Sequence, residues 1–345
     1  MPETDAKALR ETLRSLQQPH HGRSLWELAV SAVPFVVLWT AAFVCMQRGW
    51  WWAGLALAVP AGLFLVRMFL IQHDCGHQAF FRSSAANNWV GRIIGALTLT
   101  PYEYWRRTHA IHHTTSGNLD RRDLGAIETL TVAEYRALPF VRRAAYRIYR
   151  HPLVMLGLGP SYMFILQHRL PIGLMREGWA WRSVMGVNLA IAVAAIPFAL
   201  TGTLLPFLAT HAAVTVVGAT LGVWLFYVQH QFEESYWARQ REWSAADAAL
   251  VGSSHLALPQ PLQWLTANIG IHHVHHLAAR VPFYRLPQAL ESHPAFRDAP
   301  RLRIRDAFAA LTRSLWDEQA GRLVTFSQAR ALHRRPELQP ALATS

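Results

Sequence analysis

The sequence predicts an all-α integral membrane protein, in which four transmembrane helices form two hairpins beneath a cytosolic helical cap. Of its 345 residues, 52% are hydrophobic and only 16% are charged, whereas soluble domains average about 25% charged residues. The apolar residues form long blocks, and clusters of histidine lie in the polar segments that follow the blocks. Because Cys45 and Cys75 are the only cysteines, the composition excludes a disulfide-stapled secreted domain, and its hydrophobicity excludes a disordered chain.

Four apolar blocks are long enough to span a membrane. A helix that rises 1.5 Å per residue needs about 20 apolar residues to cross a hydrocarbon core of roughly 30 Å. Only a short link, residues 47–49, separates the first two blocks, and almost no polar residue separates the last two, so each pair forms a hairpin. Arg67 lies near the inner end of the second block and is expected to snorkel to the interface. The predicted transmembrane helices lie at about 28–46, 50–72, 184–205 and 206–229.

The distribution of arginine predicts the topology. The segments that the two hairpins leave on one side are rich in arginine, whereas the short turns on the other side hold only Arg48. By the positive-inside rule the arginine-rich side is the cytoplasm. Two further apolar stretches, at about 89–101 and 152–166, are too short or too broken to span and are expected at the interface. The predicted organisation is a cytosolic tail at 1–27, a membrane domain at 28–322 and a solvated cytosolic tail at 323–345, with no secretory signal peptide.

The formal net charge of +12 raises the question of a nucleic-acid partner. Lys7 is the only lysine, and the arginines flank the apolar blocks instead of forming a basic stripe. The chain also has no helix-turn-helix, zinc-finger or RNA-binding aromatic signature. We therefore expect the positive charge to meet anionic membrane lipid headgroups, and we expect no nucleic-acid partner.

Histidine is the most informative residue type, because 18 histidines fall into a non-random pattern. At this frequency a random chain would contain roughly 0.05 instances of His-x-x-His-His, yet two occur. Residues at i, i+3 and i+4 share one face of a helix, so each cluster directs two or three imidazoles at a common centre, as a metal ion requires. The clusters consist of His73 and His77, of His109, His112 and His113, and of His272, His275 and His276.

His230 and His273 need separate consideration. His230 ends the fourth apolar block at the same depth as the clusters, so it is either a further metal ligand or an interfacial histidine bonded to a backbone carbonyl. His273 would point about 100° away from its neighbour on a helix, which favours a packing role. The remaining histidines are outside any cluster and are expected to be structural.

Eight or nine neutral imidazoles exceed the four ligands of a tetrahedral zinc ion. They suit a pair of first-row ions, with two irons the natural choice for oxygen chemistry. Acidic residues within reach would then orient the imidazoles by hydrogen bonds, unless they are simply solvated surface acids. The candidates are Asp74, Asp120, Asp123, Glu233 and Glu234.

These motifs resemble those of the membrane fatty acid desaturases, whose three histidine boxes appear here as HDCGH, HAIHH and HHVHH. The neighbouring LTLTPYEYWRRTHAIHHTTSGNLDRRD and NIGIHHVHHLAARVPFYRL are similar to bacterial acyl-lipid desaturases, and the resemblance spans roughly residues 25–320. It implies a di-iron centre in the cap and a hydrophobic acyl tunnel that bends at the metals. The metal ligands that it implies are His73, His77, His109, His112, His113, His272, His275 and His276, with His230 as an extra ligand.

Two departures from the family pattern stand out. Stearoyl-CoA members place an asparagine that holds a metal-bound water four residues before the extra histidine, where this chain has Phe226. Bacterial relatives are expected to carry glycine and then aspartate where RRDLGAIE has Asp123 and Ala126. The roles of that asparagine and that acid are therefore not expected here.

The implied activity is the oxygen-dependent introduction of a cis double bond into a fatty acyl chain, carried by a phospholipid, acyl-CoA or acyl carrier protein. An unactivated C–H bond requires an oxidised metal centre, so the protein supplies positioning and water exclusion. Because the chain has no haem motif, nucleotide-binding fingerprint or cysteine cluster, electrons must come from an external donor such as ferredoxin. The donor, or else lipid headgroups, would meet Arg106, Arg107, Arg121 and Arg122.

Three alternatives use the same residues differently. A di-iron hydroxylase or ketolase of a lipid or terpenoid would keep the metals and change the product. A metal transporter would carry ionisable residues within its spans, which are bare here apart from Arg67 and His211. A zinc protease that uses His73 and His77 would need a glutamate after the first histidine, where Asp74 stands, and would leave the other clusters idle.

Overall fold

The computed structural model of the protein describes residues 3–122 and 124–333, and the fold is mostly helical. Asp123 and the end of the predicted C-terminal tail lie outside the described residues. The α-helices are α1 (Glu3–Thr12), α2 (His21–Gln47), α3 (Trp51–Gly76), α4 (Ser84–Leu97), α5 (Tyr102–Thr115), α6 (Val132–Ala137), α7 (Phe140–Tyr149), α8 (Gly159–Ile165), α9 (Gly178–Leu200), α10 (Leu204–His230), α11 (Ala245–Leu250), α12 (Gln260–Leu265), α13 (His272–Leu277), α14 (Leu286–Glu291), α15 (Pro294–Arg297), α16 (Ile304–Ala310) and α17 (Phe326–His333).

Short strands and single turns complete the cap. One sheet has the order β1-β4-β5, with β4 parallel to β1 and antiparallel to β5, and a second pairs β2 with β3 in parallel. A turn of π-helix at Val154–Leu158 leads into α8. The strands are β1 (Leu130–Thr131), β2 (His255–Leu256), β3 (Arg301–Leu302), β4 (Leu315–Asp317) and β5 (Arg322–Val324), and the 3-10 turns are Arg14–Gln17, Gln167–Arg169 and Phe283–Arg285.

Four helices, α2, α3, α9 and α10, are long and apolar enough to cross a membrane. They confirm the predicted set of two hairpins, but their ends differ from the predicted bounds. The helix α2 begins at His21, because its first turns bury Ser24 and Glu27 on the packed face and continue the helix through polar residues. The turn between α9 and α10 lies earlier than predicted, since Gly202 adopts φ +71 and ends the helix, while Pro206 is tolerated in the first turn of α10.

The expectation that Arg67 snorkels to the interface is wrong. Arg67 is 1% exposed and forms a buried ion pair with Glu27 of α2. Its Nε also donates to Ser31 Oγ at 3.0 Å, and its guanidinium carbon lies 4.1 Å from the centre of the Trp264 ring of α12. Glu27, about two turns into α2, supplies a counter-charge for the buried guanidinium of Arg67. The side chain therefore stays inside instead of extending to the water interface. The ion pair therefore joins the two helices of the first hairpin, and the contact between Arg67 and Trp264 joins that hairpin to the cap.

Both ends of the described chain pack more closely than the sequence indicates. Leu9, Leu13 and Leu16, in the predicted N-terminal tail, belong to the main hydrophobic core. Leu323 and Val324, at the start of the predicted solvated C-terminal tail, are buried in β5. The short hairpin β4–β5 needs β1 as a partner, so its burial depends on a contact about 185 residues earlier in sequence that periodicity does not reveal.

The two shorter apolar stretches form α4 and the segment from Val154 to Ile165. Each leaves large apolar side chains on the outside, with Ile93 62% and Leu158 71% exposed. This is what an interfacial helix requires, and placement at the membrane interface stays a prediction.

Candidate metal centre

Four helix segments meet where the membrane helices end, and each contributes histidines. His73 lies in the last turn of α3 and His77 directly follows that helix, because the positive φ of Gln78 stops it. The middle cluster occupies the last two turns of α5, His230 is the last residue of α10, and the third cluster forms the short helix α13. All nine imidazoles predicted as ligands converge there and form two groups.

The first group contains five imidazoles whose nearest ring nitrogens lie within 4.8 Å of one another. The Nε2 atom of His109 is 3.1 Å from Nε2 of His77 and 3.1 Å from Nε2 of His113, and Nε2 of His275 is 3.2 Å from Nε2 of His113. One site therefore receives the whole first sequence cluster, two of the three histidines of the second and one of the three histidines of the third. The members are His73, His77, His109, His113 and His275.

The second group contains four imidazoles with the same spacing. His230 Nε2 lies 3.2 Å from His112 Nε2 and 3.0 Å from His272 Nε2, and the ring of His276 packs 4.7 Å from that of His230. The two groups adjoin, since the rings of His113 and His276 stack at 4.2 Å. The four members, His112, His230, His272 and His276, could hold a metal ion, as could the five of the first group.

The geometry of the nitrogens fits metal ions better than a hydrogen-bonded network. Ligands about 2.1 Å from an ion and at right angles to each other lie about 3.0 Å apart, close to the observed 3.0–3.2 Å. In a neutral imidazole, each ring nitrogen either donates one hydrogen bond or accepts one. Nε2 of His109 therefore cannot form good hydrogen bonds both to Nε2 of His77 and to Nε2 of His113. A cation at the centre of each group satisfies every inward nitrogen at once.

Protonation states also favour cation binding. Burial, reinforced by repulsion between neighbouring imidazoles, holds the pKa of the seven rings outside the membrane helices well below its usual range. These rings stay neutral at pH 7 and offer lone pairs, which a positively charged ring could not do. The seven are His77, His109, His112, His113, His272, His275 and His276.

Of the five acids proposed to orient the imidazoles, Asp74 contacts one. Its Oδ1 lies 3.4 Å from Nδ1 of His73, and its Oδ2 accepts a hydrogen bond of 2.7 Å from the backbone N–H of Phe283. Asp74 thereby connects the metal centre to the segment that follows α13.

For Asp120, Glu233 and Glu234 the structure supports the alternative of a surface acid instead of an imidazole-orienting role. Asp120 accepts hydrogen bonds from Arg239 and from the backbone of Gln240. Glu233 pairs with Arg313 and Arg322, and Glu234 is exposed. Asp123 lies outside the described residues. Spacing along the chain places Asp120 and Glu233 near a histidine, but their carboxylates contact surface arginines.

His230 is held by contacts that the sequence did not indicate. Its Nδ1 lies 3.3 Å from the carbonyl oxygen of Gly252 and 3.4 Å from Ser116 Oγ. By contrast, the Nδ1 atoms of His112, His272 and His275 have no hydrogen-bond partner in the part of the chain that the structure describes. No sequence signal identifies Ser116 or Gly252, because neither lies close to His230 in the chain.

Two aromatic residues pack against the imidazoles. Trp105 stacks on His109 with ring centres 4.6 Å apart and an interplanar angle of 14°. It stands one helical turn before His109 on α5, a spacing that could have revealed it. Phe226, one turn before His230, lies 4.9 Å from the ring of His112. At this position, where the resemblance led us to look for an asparagine, the chain presents an apolar ring to the histidines.

The four arginines proposed to meet an electron donor or lipid headgroups are not equivalent. Arg107 and Arg121 are exposed, and Arg106 is exposed while donating to Asn88. Arg122 is neutralised by a two-pronged ion pair with Glu134, at 2.7 and 2.8 Å. Arg122 is thus a structural residue of the cap.

Comparison with known proteins agrees with this geometry. The family model described as fatty acid desaturase matches residues 49–307. A fatty acid desaturase of Bacillus subtilis is 40% identical over 320 residues, covering 93% of this chain and 90% of that protein. An sn-1 oleoyl-lipid 12-desaturase of Synechocystis is 28% identical, covering 75% and 71%, and an sn-1 acyl-lipid omega-3 desaturase (ferredoxin) of Nostoc is 27% identical, covering 67% and 64%. With paired histidine groups at the ends of four membrane-length helices, this chain belongs to the fatty acid desaturase family of membrane oxidoreductases.

Proposed function

We propose that the five-histidine and four-histidine groups each bind one iron ion and that the enzyme introduces a cis double bond into a fatty acyl chain. The convergence of nine neutral imidazoles into two adjoining groups carries this proposal. The overall reaction balances as one CH2–CH2 unit, one dioxygen, two electrons and two protons giving one CH=CH unit and two waters. The iron pair supplies the oxidising power that no side chain has.

The protein positions the reactants and excludes water. Neutral imidazoles would hold each ion without cancelling its positive charge. Asp74 fixes the ring of His73, and Ser116 with the Gly252 carbonyl fixes that of His230. Histidines held in this way would keep both metal sites in place while the acyl chain is positioned beside them.

An apolar cavity provides a candidate site for part of the acyl chain. It has a volume of about 250 Å³ and lies between α3, α10 and the cap helices α12 and α16. Its lining is apolar except for Thr266, and it includes Leu63 and Val66 of α3, Leu221 of α10 and Phe308 of α16. Such a cavity favours a methylene chain over any polar ligand, because nothing in it would replace lost hydration.

We further propose the residues and partners that the reaction requires. The metal ligands are the nine histidines of the two groups, within a membrane domain at 28–322. The acyl group is carried by a membrane phospholipid, in line with the acyl-lipid names of the Synechocystis and Nostoc relatives. A ferredoxin-like donor supplies electrons from the cytoplasmic side of a bacterial inner membrane, and docks near the exposed Arg107 and Arg121.

Fatty acid profiling tests the reaction. A bacterial host that expresses the protein should contain new cis-unsaturated fatty acids by gas chromatography, and the His112→Ala variant should produce none. New hydroxylated or oxidised lipids without new double bonds would instead assign the protein as a hydroxylase or ketolase. Metal analysis of anaerobically purified protein should find about two irons per chain, and one zinc without iron would contradict the di-iron proposal.

A further inference from the structure

A small cavity adjoins the four-histidine group and leads away from it toward the surface of the cap. It has a volume of about 20 Å³. His112, His230 and Phe226 line its inner end, and Arg121 and Ala126, both exposed, line its outer end. It is separate from the apolar cavity proposed for the acyl chain, with which it shares no lining residue.

The size of the cavity restricts what it admits. A cavity needs roughly 10–15 Å³ of such space to hold one water molecule, so this one accommodates a single molecule of that size. Dioxygen and water fit this limit, whereas a fatty acyl chain does not. The cavity therefore suits the small reactant and the small product of the proposed reaction.

Several polar groups in the walls of the cavity are engaged by other residues, whereas Nδ1 of His112, Nε of Arg122 and Nε1 of Trp237 have no hydrogen-bond partner within the described residues. Gln231 accepts a hydrogen bond of 2.9 Å from the buried Arg150 through Oε1 and donates one of 3.0 Å to Thr129 through Nε2. The Asn118 amide donates to Gln240, and the Thr115 hydroxyl donates to the Ile111 carbonyl. The unpartnered nitrogens of the lining can hydrogen-bond one water molecule, which fits a cavity through which the water product leaves.

The cavity also meets the group with fewer imidazoles. Its lining includes two of the four members of that group and none of the five-histidine group. An ion with four nitrogen ligands has more room for an incoming small ligand than an ion with five. The ligand count and the position of the cavity thus independently favour the same side of the metal pair.

On the basis of the proposed function, we propose that this cavity is the route by which dioxygen reaches the four-histidine group and water leaves it. The acyl chain enters by a different path. The route passes between the end of α5, the segment around residue 126 and the end of α10, and Ala126 controls its outer end.

Enlarging Ala126 should narrow the route without touching a histidine. We would compare Ala126→Leu and Ala126→Phe with Ala320→Phe, since Ala320 is an equally exposed alanine in the turn between β4 and β5. Nitric oxide serves as the probe, because it binds reduced iron as dioxygen does and its association can be followed by absorbance in a stopped-flow instrument. Iron content is measured in each variant first.

In Ala126→Phe, the nitric oxide association rate should fall roughly tenfold, which corresponds to an added barrier of about 1.4 kcal/mol. Ala126→Leu should give an intermediate nitric oxide association rate. If the Ala126→Phe variant loses iron, the Ala126→Leu variant is compared with the unsubstituted protein instead. The KM for dioxygen should rise in parallel, whereas the KM for the acyl substrate and all values for Ala320→Phe should match the unsubstituted protein.

Two outcomes would overturn the route. Unchanged nitric oxide association in both iron-loaded Ala126 variants would show that small ligands enter elsewhere. An equal rise of the KM for the acyl substrate would assign the cavity to the acyl site. If the unsubstituted reduced protein bound neither iron nor nitric oxide, the proposed di-iron function itself would fail, which is a distinguishable result.

Discussion

His272 and His273 are adjacent in sequence, yet their imidazoles lie on different faces of α13 and meet different partners. Nε2 of His272 is 3.0 Å from Nε2 of His230 in the four-histidine group, whereas Nε2 of His273 donates to the carbonyl oxygen of Phe296 at 2.8 Å. Both side chains are buried, with 2% and 0% exposure. The rotation of about 100° per helical residue therefore separates a metal-site histidine from a packing histidine.

This relationship gives a matched pair of substitutions. His272→Asn should lose iron and the unsaturated product, because a nitrogen of the four-histidine group is removed. His273→Asn should keep both and lose only stability, by about 1–3 kcal/mol for the buried carbonyl of Phe296 that it leaves unpaired. Iron per chain and product yield are the measurements. Equal loss of iron in both variants would contradict the assignment.

The same logic extends to the other clusters. His109→Ala, His112→Ala and His276→Ala should each abolish product formation while membrane insertion stays intact, because each removes one inward nitrogen. His333→Ala, outside every cluster, should leave product formation unchanged. Product analysis and membrane fractionation of each variant would decide this, and an active His109→Ala enzyme would refute the ligand set.

Asp74→Asn should weaken metal binding without removing a ligand. The Asp74 carboxylate faces Nδ1 of His73 and accepts from the Phe283 N–H, and loss of such an orienting partner typically costs roughly 10- to 100-fold in metal affinity. Competition with a chromogenic chelator measures the affinity. Asp120→Asn provides the control, because Asp120 contacts Arg239 instead of a histidine. Matching affinities in the two variants would argue against an orienting role.

The buried ion pair of Glu27 and Arg67 should contribute strongly to stability. Glu27→Gln alone leaves the guanidinium without its counter-charge and should destabilise the protein by about 3–5 kcal/mol. Adding Arg67→Met should recover part of that loss, because the orphaned charge is gone. Unfolding in detergent measures both. The exposed pair of Glu11 and Arg14 is the control, and Glu11→Gln should change stability by less than about 1 kcal/mol.

His168 should make the protein sensitive to acid. Burial, together with the charge of Arg169, lowers the pKa of His168 to about 4, against an opposing hydrogen bond to the Leu99 carbonyl. In the unfolded chain, His168 therefore binds a proton below about pH 6.5, whereas in the folded chain it binds one only below about pH 4. Stability falls as the pH drops through this window, by up to about 3 kcal/mol.

The test of this pH dependence is His168→Gln. Unfolding midpoints of the substituted and unsubstituted proteins should differ least above pH 7, and the glutamine variant should lose less stability between pH 6.5 and pH 4. The other histidines titrate equally in both proteins, so the difference isolates His168. If the unfolding midpoints of the two proteins fell in parallel between pH 6.5 and pH 4, His168 would not contribute to the acid sensitivity.

Filling the apolar cavity should change which lengths of acyl chain the enzyme accepts. Leu221→Trp fills space between α3 and α10 and should shift the products toward shorter acyl chains, because a longer chain would need the occupied volume. Leu205→Trp is the control, since Leu205 is 68% exposed near the opposite end of α10. Gas chromatography of the products gives the comparison, and an unchanged chain-length profile for Leu221→Trp would place the acyl chain elsewhere.

Much of the architecture follows from local pattern. Charge-free apolar blocks predict α2, α3, α9 and α10, because hydrocarbon tolerates no exposed backbone and a helix satisfies its own hydrogen bonds. Histidine spacing predicts three clusters, because i, i+3 and i+4 share a helix face. The ends of the helices were less accurate, since Gly202 and the buried Glu27 act through turn geometry and packing that hydropathy does not measure.

By itself, the sequence determined the membrane class and the family, and it predicted the nine histidines that the structure brings together. Only the tertiary structure decided how the histidines divide. His112 joins His230, while His109 and His113 of the same helix join His73 and His77, and the third cluster divides likewise. Spacing specifies which side chains share a face, but the angle and height at which α3, α5, α10 and α13 meet determine their partners. Those angles depend on long-range packing, which no local pattern encodes.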